Sequence, residues 1–272
     1  MMWVNGLEQS SIPLTDRGLT LGDGFFTTMQ IRHGRPLLWD LHRARLMATA
    51  ERLQFATLDL DGLYQRLLMR LSGVAQGCAK IILTRGSGAR GYGIRGSQQP
   101  SEIITLHDYP EHYRHWQQTG IPLAICQGRL GDTPLLAGLK TLNRLEQVLL
   151  KAELEARDEL EGLVLDRAEN IVEAVTANVF WRQDSVVYTP ALSTCGVTGV
   201  MRGWILRQLQ QWGIVCHQVQ AGLAALKTAD ELFLSNALME VVPVTGIEDV
   251  TYQDHSLARQ LQTAFYQTAE AS

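Results

Sequence analysis

Short β-prone runs closed by turn residues recur from one end of this 272-residue chain to the other, and far fewer stretches carry helical spacing. Such a chain must bury strand faces against helices, which makes the expected fold class mixed α/β, of the α+β kind. Residues 3–6 read as a short strand ending in the Asn5-Gly6 turn, and 25–32 as a longer strand turned by His33-Gly34-Arg35. In 39–53, Leu41, Leu46, Met47, Ala50 and Leu53 recur at helical spacing. Asp40 lies in the first turn, where the helix dipole favours a negative charge. A second helix is expected over 59–71 and strands over 79–84 and 102–106, with a Gly-rich loop over 85–100. Together these form a small N-terminal α+β domain, 1–107. Residues 108–120 are polar and aromatic and read as an interdomain connector. From 121 to 272, strands at 122–126, 162–165, 177–181, 186–189, 214–219 and 231–234 accompany helices at 144–159, 199–212 and 256–268. That half reads as a larger, barrel-like domain with flanking helices.

The net charge of −4 leaves no basic surplus to neutralise a phosphate backbone, so no nucleic-acid partner is expected. No apolar run approaches the ~20 residues that span a bilayer, and no membrane partner is expected. The N-terminus lacks a basic segment followed by an apolar core, and Cys78, Cys126, Cys195 and Cys216 lie far apart without metal or redox spacing. A reducing, cytoplasmic setting fits those features. His107, His112 and His115 fall in the polar connector with no carboxylate or cysteine pattern, so no metal site is expected. No Gly-x-Ser-x-Gly elbow appears, and the Gly-rich loop matches neither phosphate-binding fingerprint.

Several residues could carry chemistry. Lys140 sits between a Gly-containing apolar stretch and the start of a helix. Burial there would lower its pKa and make it a nucleophile and base; a solvated surface lysine would look the same in sequence. Glu173 interrupts a β-prone apolar stretch, so it either faces water or has a partner, such as a protonated ring nitrogen. In Cys195-Gly196-Val197-Thr198-Gly199, Thr198 could cap the following helix, or the backbone there could present N–H groups to an anion. Arg43 and Arg45 in the first helix point in different directions, so at most one serves a given pocket. The loop holding Arg85, Arg90 and Tyr92 could bind anions as a lid, or be only surface.

Taken in order, five segments resemble the fold-type IV pyridoxal-phosphate enzymes, the group of branched-chain and D-amino-acid aminotransferases and aminodeoxychorismate lyases. They are Leu21-Gly22-Asp23-Gly24-Phe25-Phe26-Thr27-Thr28; His42-x-x-Arg45-Leu46; Lys140 to Gln147; Glu173 in its strand; and Gly196 to Arg202. The resemblance covers essentially the whole chain and implies a pyridoxal 5'-phosphate cofactor, a small N-terminal and a larger C-terminal domain, and a homodimer. It implies that Lys140 carries the cofactor covalently, that Glu173 meets the pyridine nitrogen, and that Arg45, Val197 and Thr198 hold the phosphate.

Within the family, the Thr27-Thr28 pair is similar to the lyases; aminotransferases usually carry an acidic residue at the Thr27 position. The expected reaction is conversion of 4-amino-4-deoxychorismate to 4-aminobenzoate and pyruvate, a step toward folate. Lys140 would move the proton, Thr28 would act beside it, and Arg90, Tyr92 and Arg85 would bind substrate carboxylates. The alternatives are a D-amino-acid or branched-chain aminotransferase on the same fold, or a non-enzymatic binding protein that retains it.

Overall fold

The computed structural model describes residues 1–88, 91–96 and 99–270. It divides into two compact units, Met1–Pro110 with Lys140–Asn143, and Glu111–Leu139 with Arg144–Ala271. The chain therefore returns to the first unit for four residues, an excursion that a linear division at 107 and 121 does not contain.

The first unit comprises β1 (Met2–Val4), β2 (Leu7–Glu8), α1 (Arg17–Leu21), β3 (Gly24–Arg32), β4 (Arg35–Pro36), α2 (Trp39–Arg52), α3 (Leu60–Arg70), β5 (Gln76–Thr84) and β6 (Ser101–His107). Its sheet is antiparallel throughout, in the order β2-β1-β6-β5-β3-β4. Alternation along β3 sends Phe25, Met29 and Ile31 into a core shared with Leu46, Leu63, Leu67 and Ile81. Burial of each such side chain is worth about 1.5–3 kcal/mol. Asp16, fully buried, caps α1 by accepting from the Gly18 N–H and also accepts from the Thr84 and Ser101 hydroxyls.

β4 pairs with β3 only at Ile31 and Arg32, which leaves the start of β3 with an open edge. Residues 140–142 fill that edge. The Phe26 N–H donates to the Lys140 carbonyl at 3.0 Å, and the Leu142 N–H donates to the Gly24 carbonyl at 3.0 Å. Asn143 Nδ2 adds a bond to the Gly22 carbonyl, 3.1 Å.

The second unit comprises α4 (His112–Thr119), β7 (Ile121–Leu130), α5 (Leu145–Ala156), β8 (Gly162–Asp166), β9 (Ile171–Ala174), β10 (Asn178–Gln183) and β11 (Val186–Pro190). It continues with α6 (Val200–Gln211), β12 (Cys216–Val219), α7 (Ala224–Lys227), β13 (Glu231–Asn236), β14 (Glu240–Ile247), β15 (Val250–Thr251) and α8 (Ser256–Glu270). The main path of its sheet runs β12-β11-β10-β13-β14-β7-β8-β9, and β15 pairs with β14. The Ile171 N–H, on the β9 edge, donates to the Ala221 carbonyl, just past the β12 edge, at 2.7 Å. The sheet thus curls back on itself, as the barrel-like reading expected.

Two differences have physical causes. The segment read as connector holds α4, whose aromatic ring cluster Tyr113 and Trp116 packs on the second core rather than bridging solvent. β14 escaped the strand reading because Pro243 interrupts it. In the fold, β14 pairs with β13 through Pro243 and with β7 from Val244 onward, so the missing N–H falls where the strand changes partner.

Candidate active site

In the first unit, successive residues of β3 point to opposite faces. Phe26 and Thr28 share the half-buried face, and Thr28 lies opposite Lys80 in register. Lys140 Nζ stands 4.7 Å from the centre of the Phe26 ring, and Lys80 Nζ stands 4.8 Å from the same centre. Two lysine side chains thus lie against one aromatic ring. The Lys140 backbone is fixed by its carbonyl bond to Phe26, and its neighbours Leu139 and Thr141 are buried. Lys80, read from sequence only as a strand residue, has no carboxylate partner among the described residues. The signal that could have found it is a charged side chain interrupting the apolar run of 78–83.

The opposite face of β3 carries Thr27, fully buried, toward α2. His42 and Arg45 are three residues apart on α2 and share a face. Thr27 Oγ1 lies 2.6 Å from His42 Nδ1 and accepts from Arg45 Nη2 at 2.5 Å. Burial lowers the His42 pKa well below the usual value, and the Arg45 charge lowers it further. Desolvation brings Arg45 down to about 10. Arg45 Nε is buried with no partner, and no carboxylate pairs with this guanidinium among the described residues. Arg43, by contrast, turns to Asp61, 3.3 Å away at the surface.

Of the expected carboxylate binders, Arg85 and Tyr92 lie among the described residues. Arg85 is 5% exposed, and its guanidinium holds Asp23 (Nε, 2.8 Å) and the carbonyls of Gln54 (2.9 Å) and Leu53 (2.7 Å), over the ring of Phe55. It ties the loop to the end of α2, a structural task, because every nitrogen is already engaged. Tyr92 is 88% exposed, and its carbonyl, like that of Gly91, accepts from Arg17. Arg90 lies outside the described residues.

In the second unit, β9 places Glu173 in a buried position, 5% exposed. Its Oε2 accepts the Val197 N–H at 2.8 Å. Arg144, lowered by desolvation, is drawn back up by the Glu173 charge, so the carboxylate has a cation within electrostatic reach. Asn178 at the start of β10 grips the same loop: its Nδ2 donates to the Val197 carbonyl (2.8 Å), and its Oδ1 accepts the Gly199 N–H (3.1 Å). A Cβ on Gly199 would come within 2.1 Å of that Oδ1, so the glycine is required for the close approach. The Gly138 N–H donates to the Gly196 carbonyl (2.9 Å), and the Thr198 N–H donates to the Gly138 carbonyl (3.0 Å).

The N-cap of α6 is Gly199, without a side-chain cap, so Thr198 is not the cap. Its amide and that of Val197 are engaged within the protein, while its side chain is exposed just before the uncapped helix start. The positive end of a twelve-residue helix and an exposed hydroxyl together suit an anion. Asn236 serves a turn: its Oδ1 accepts the Leu238 and Met239 N–H groups.

The profile of the class IV amino-transferase family matches residues 24–247. An aminodeoxychorismate lyase of Vibrio harveyi is 37% identical over 266 residues, 96% of this chain and 98% of that protein. The crystal structure of 4-amino-4-deoxychorismate lyase from Pseudomonas aeruginosa superposes with a TM-score of 0.91 at 40% identity, covering 98% of each chain. The branched-chain amino acid aminotransferase of Escherichia coli shares the fold, with a TM-score of 0.87 at 20% identity over 98% of this chain and 93% of that one.

Proposed function

The chain belongs to the class IV amino-transferase family, and from that membership we propose that it is a pyridoxal-phosphate-dependent lyase. It converts 4-amino-4-deoxychorismate to 4-aminobenzoate and pyruvate. The observation that carries the substrate assignment is similarity along the full length to two lyases, at 37% and 40% identity, well above the 20% shared with an aminotransferase.

The residues present fit the cofactor. Arg45 is a cation with a buried, partnerless Nε and no carboxylate partner among the described residues, as suits an anion site. Arg45, the Thr198 hydroxyl and the start of α6 would hold the phosphate; within the second unit, Glu173 and Asn178 fix Val197 in the loop before α6. Glu173 would hold the proton on the pyridine nitrogen, and Lys140 would hold the cofactor covalently. When bound, the cofactor supplies an electron sink for the carbon that carries the substrate amine.

The Lys140 amine would take the proton from this carbon. The C–O bond at the adjacent ring carbon would then break, releasing enolpyruvate, which takes up a proton and tautomerises to pyruvate, and the ring would become aromatic. Thr28, on the β3 face that carries Phe26, orients the reacting groups in relay with Lys140; its hydroxyl is too weak an acid to act alone. Because the Arg85 guanidinium is engaged within the protein, Lys80 takes its place as a candidate for a substrate carboxylate, in addition to the sequence-based candidates Arg90 and Tyr92.

The enzyme works as a homodimer on this reading. Leu145, Val148 and Leu149 form an apolar stripe at helical spacing on α5, exposed at 70%, 59% and 63%. An exposed stripe of that kind calls for a partner. A cytoplasmic location belongs to the same reading and rests on the free cysteines, of which Cys78, Cys126 and Cys195 are buried. Among the described residues no helix is long and apolar enough to cross a membrane.

The test is to incubate the protein with pyridoxal phosphate and 4-amino-4-deoxychorismate and follow both products. Equimolar 4-aminobenzoate and pyruvate, absent with Lys140→Ala, is the expected result. Cofactor binding without either product would refute the lyase assignment and move the search to amino-acid donors.

A further inference from the structure

The contact between Thr27 and Arg45 has a direction. A guanidinium only donates, so Thr27 Oγ1 accepts from Arg45 Nη2. The threonine retains one proton of its own in a site with no solvent exposure. Of the described residues, the acceptor in reach of that proton is His42 Nδ1, 2.6 Å away. The reverse arrangement, with Nδ1 protonated and donating, would leave the hydroxyl proton buried without an acceptor. His42 is 1% exposed and Arg45 carries its charge nearby, two conditions that keep the imidazole neutral. Arg45 is thus steered by a neutral relay rather than by a carboxylate, and no carboxylate among the described residues pairs with its charge.

We propose that Thr27 and His42 are positioning residues that hold the Arg45 guanidinium for the cofactor phosphate, through a relay of fixed polarity: Arg45 Nη2–H to Thr27 Oγ1, and Thr27 O–H to His42 Nδ1. The inference rests on the reading of Arg45 as the phosphate-binding arginine. It goes further by assigning work to two residues that act through Arg45. A carboxylate at this position would hold Arg45 by an ion pair, whereas a hydroxyl backed by a neutral imidazole holds it by hydrogen bonding alone.

The experiment compares the affinity of the cofactor-free enzyme for pyridoxal phosphate and for pyridoxal, which lacks the phosphate, in the wild type, Thr27→Val and Thr27→Ser. Thr27→Val keeps the shape and removes the hydroxyl. It is expected to weaken pyridoxal phosphate by about ten- to a hundredfold, the range for a hydrogen bond to a charged group, and to leave pyridoxal unchanged. Thr27→Ser is expected to restore phosphate-dependent affinity. Equal weakening of both ligands in Thr27→Val would mark Thr27 as structural and overturn the relay, as would undiminished binding of pyridoxal phosphate. A wild type that binds the two ligands alike would instead overturn the phosphate reading of Arg45, and the relay with it. Should Thr27→Val fail to fold, nitrogen-15 NMR of wild-type His42 decides the polarity: the relay requires an unprotonated Nδ1 and a protonated Nε2, and a proton on Nδ1 refutes it.

Discussion

Asn178→Ala removes a side chain that makes two hydrogen bonds, one to the Val197 carbonyl and one from the Gly199 N–H. Asn178 itself is buried, 6% exposed, while Val197 and Gly199 are half-buried, so water can reach part of what is lost. Two net hydrogen bonds at about 0.5–1.5 kcal/mol each, with some added cost for imperfectly rehydrated groups, give a loss of about 2 kcal/mol. For a chain of this size that corresponds to a fall in melting temperature of about 4–8 °C.

Gly199→Ala should cost a similar amount for the opposite reason, because its Cβ would meet Asn178 Oδ1 at 2.1 Å. The two losses share one cause, so they should not add. In the double variant the absent amide leaves room for the methyl, and the combined loss should be clearly smaller than the sum of the two. Thermal unfolding followed by tryptophan fluorescence, to which Trp116, Trp181, Trp204 and Trp212 of the second unit contribute, measures all three. Strict additivity, or an Asn178→Ala melting temperature equal to that of the wild type, would refute the claim that this amide pins the loop before α6.

Asp23 supplies a pH dependence. Burial alone would raise its pKa, but the hydrogen bonds from Arg85 and Arg17 outweigh it and hold the carboxyl below the ordinary 3.8. A depressed folded value contributes stability that is present above the unfolded value and lost as pH falls through the folded one. Asp23→Asn should therefore lower stability at neutral pH and flatten its fall below about pH 4, as read from melting temperature against pH. An acid limb as steep as that of the wild type would contradict this. Lys80→Met should raise KM for the lyase substrate by about ten- to a hundredfold without changing cofactor affinity; an unchanged KM would return the carboxylate contact to the loop alone. Thr28→Val should lower turnover more than it lowers cofactor binding, and equal losses in both would make Thr28 structural.

The parts of this fold legible in the sequence are those that local pattern dictates. α2 and α3 show their apolar spacing, β3 and β5 their β-prone runs, and the turn at 33–35 its glycine. α4 was not legible because His112–Thr119 has no aliphatic stripe and no side-chain cap; its aromatic rings find their partners only in the folded unit. The return of 140–143 to the first unit was not legible either, because the open edge of β3 exists only once β4 has paired at the far end.

The same distinction runs through the site. Lys140, Glu173 and Arg45 stand out as charged residues in apolar or helical surroundings. Arg85 carries the same signal in a Gly-rich loop, yet its partners are Asp23, Leu53 and Gln54, distant in sequence, which bury it for structural use. Asn178 reads as an ordinary polar residue at a strand end until the loop at 197–199 closes on it. Lys80 lies in a strand whose exposed face is defined only by its register with Thr28.

The central claim is that Lys140 is the lysine that carries the cofactor, and the Phe26 ring offers a built-in rival in Lys80, at nearly the same distance. Borohydride reduction of the enzyme loaded with pyridoxal phosphate fixes the cofactor to its lysine, and peptide mass spectrometry reads the site. The expected result is the added mass on the peptide containing Lys140 and none on that containing Lys80; the label on Lys80, or on neither, would contradict the account.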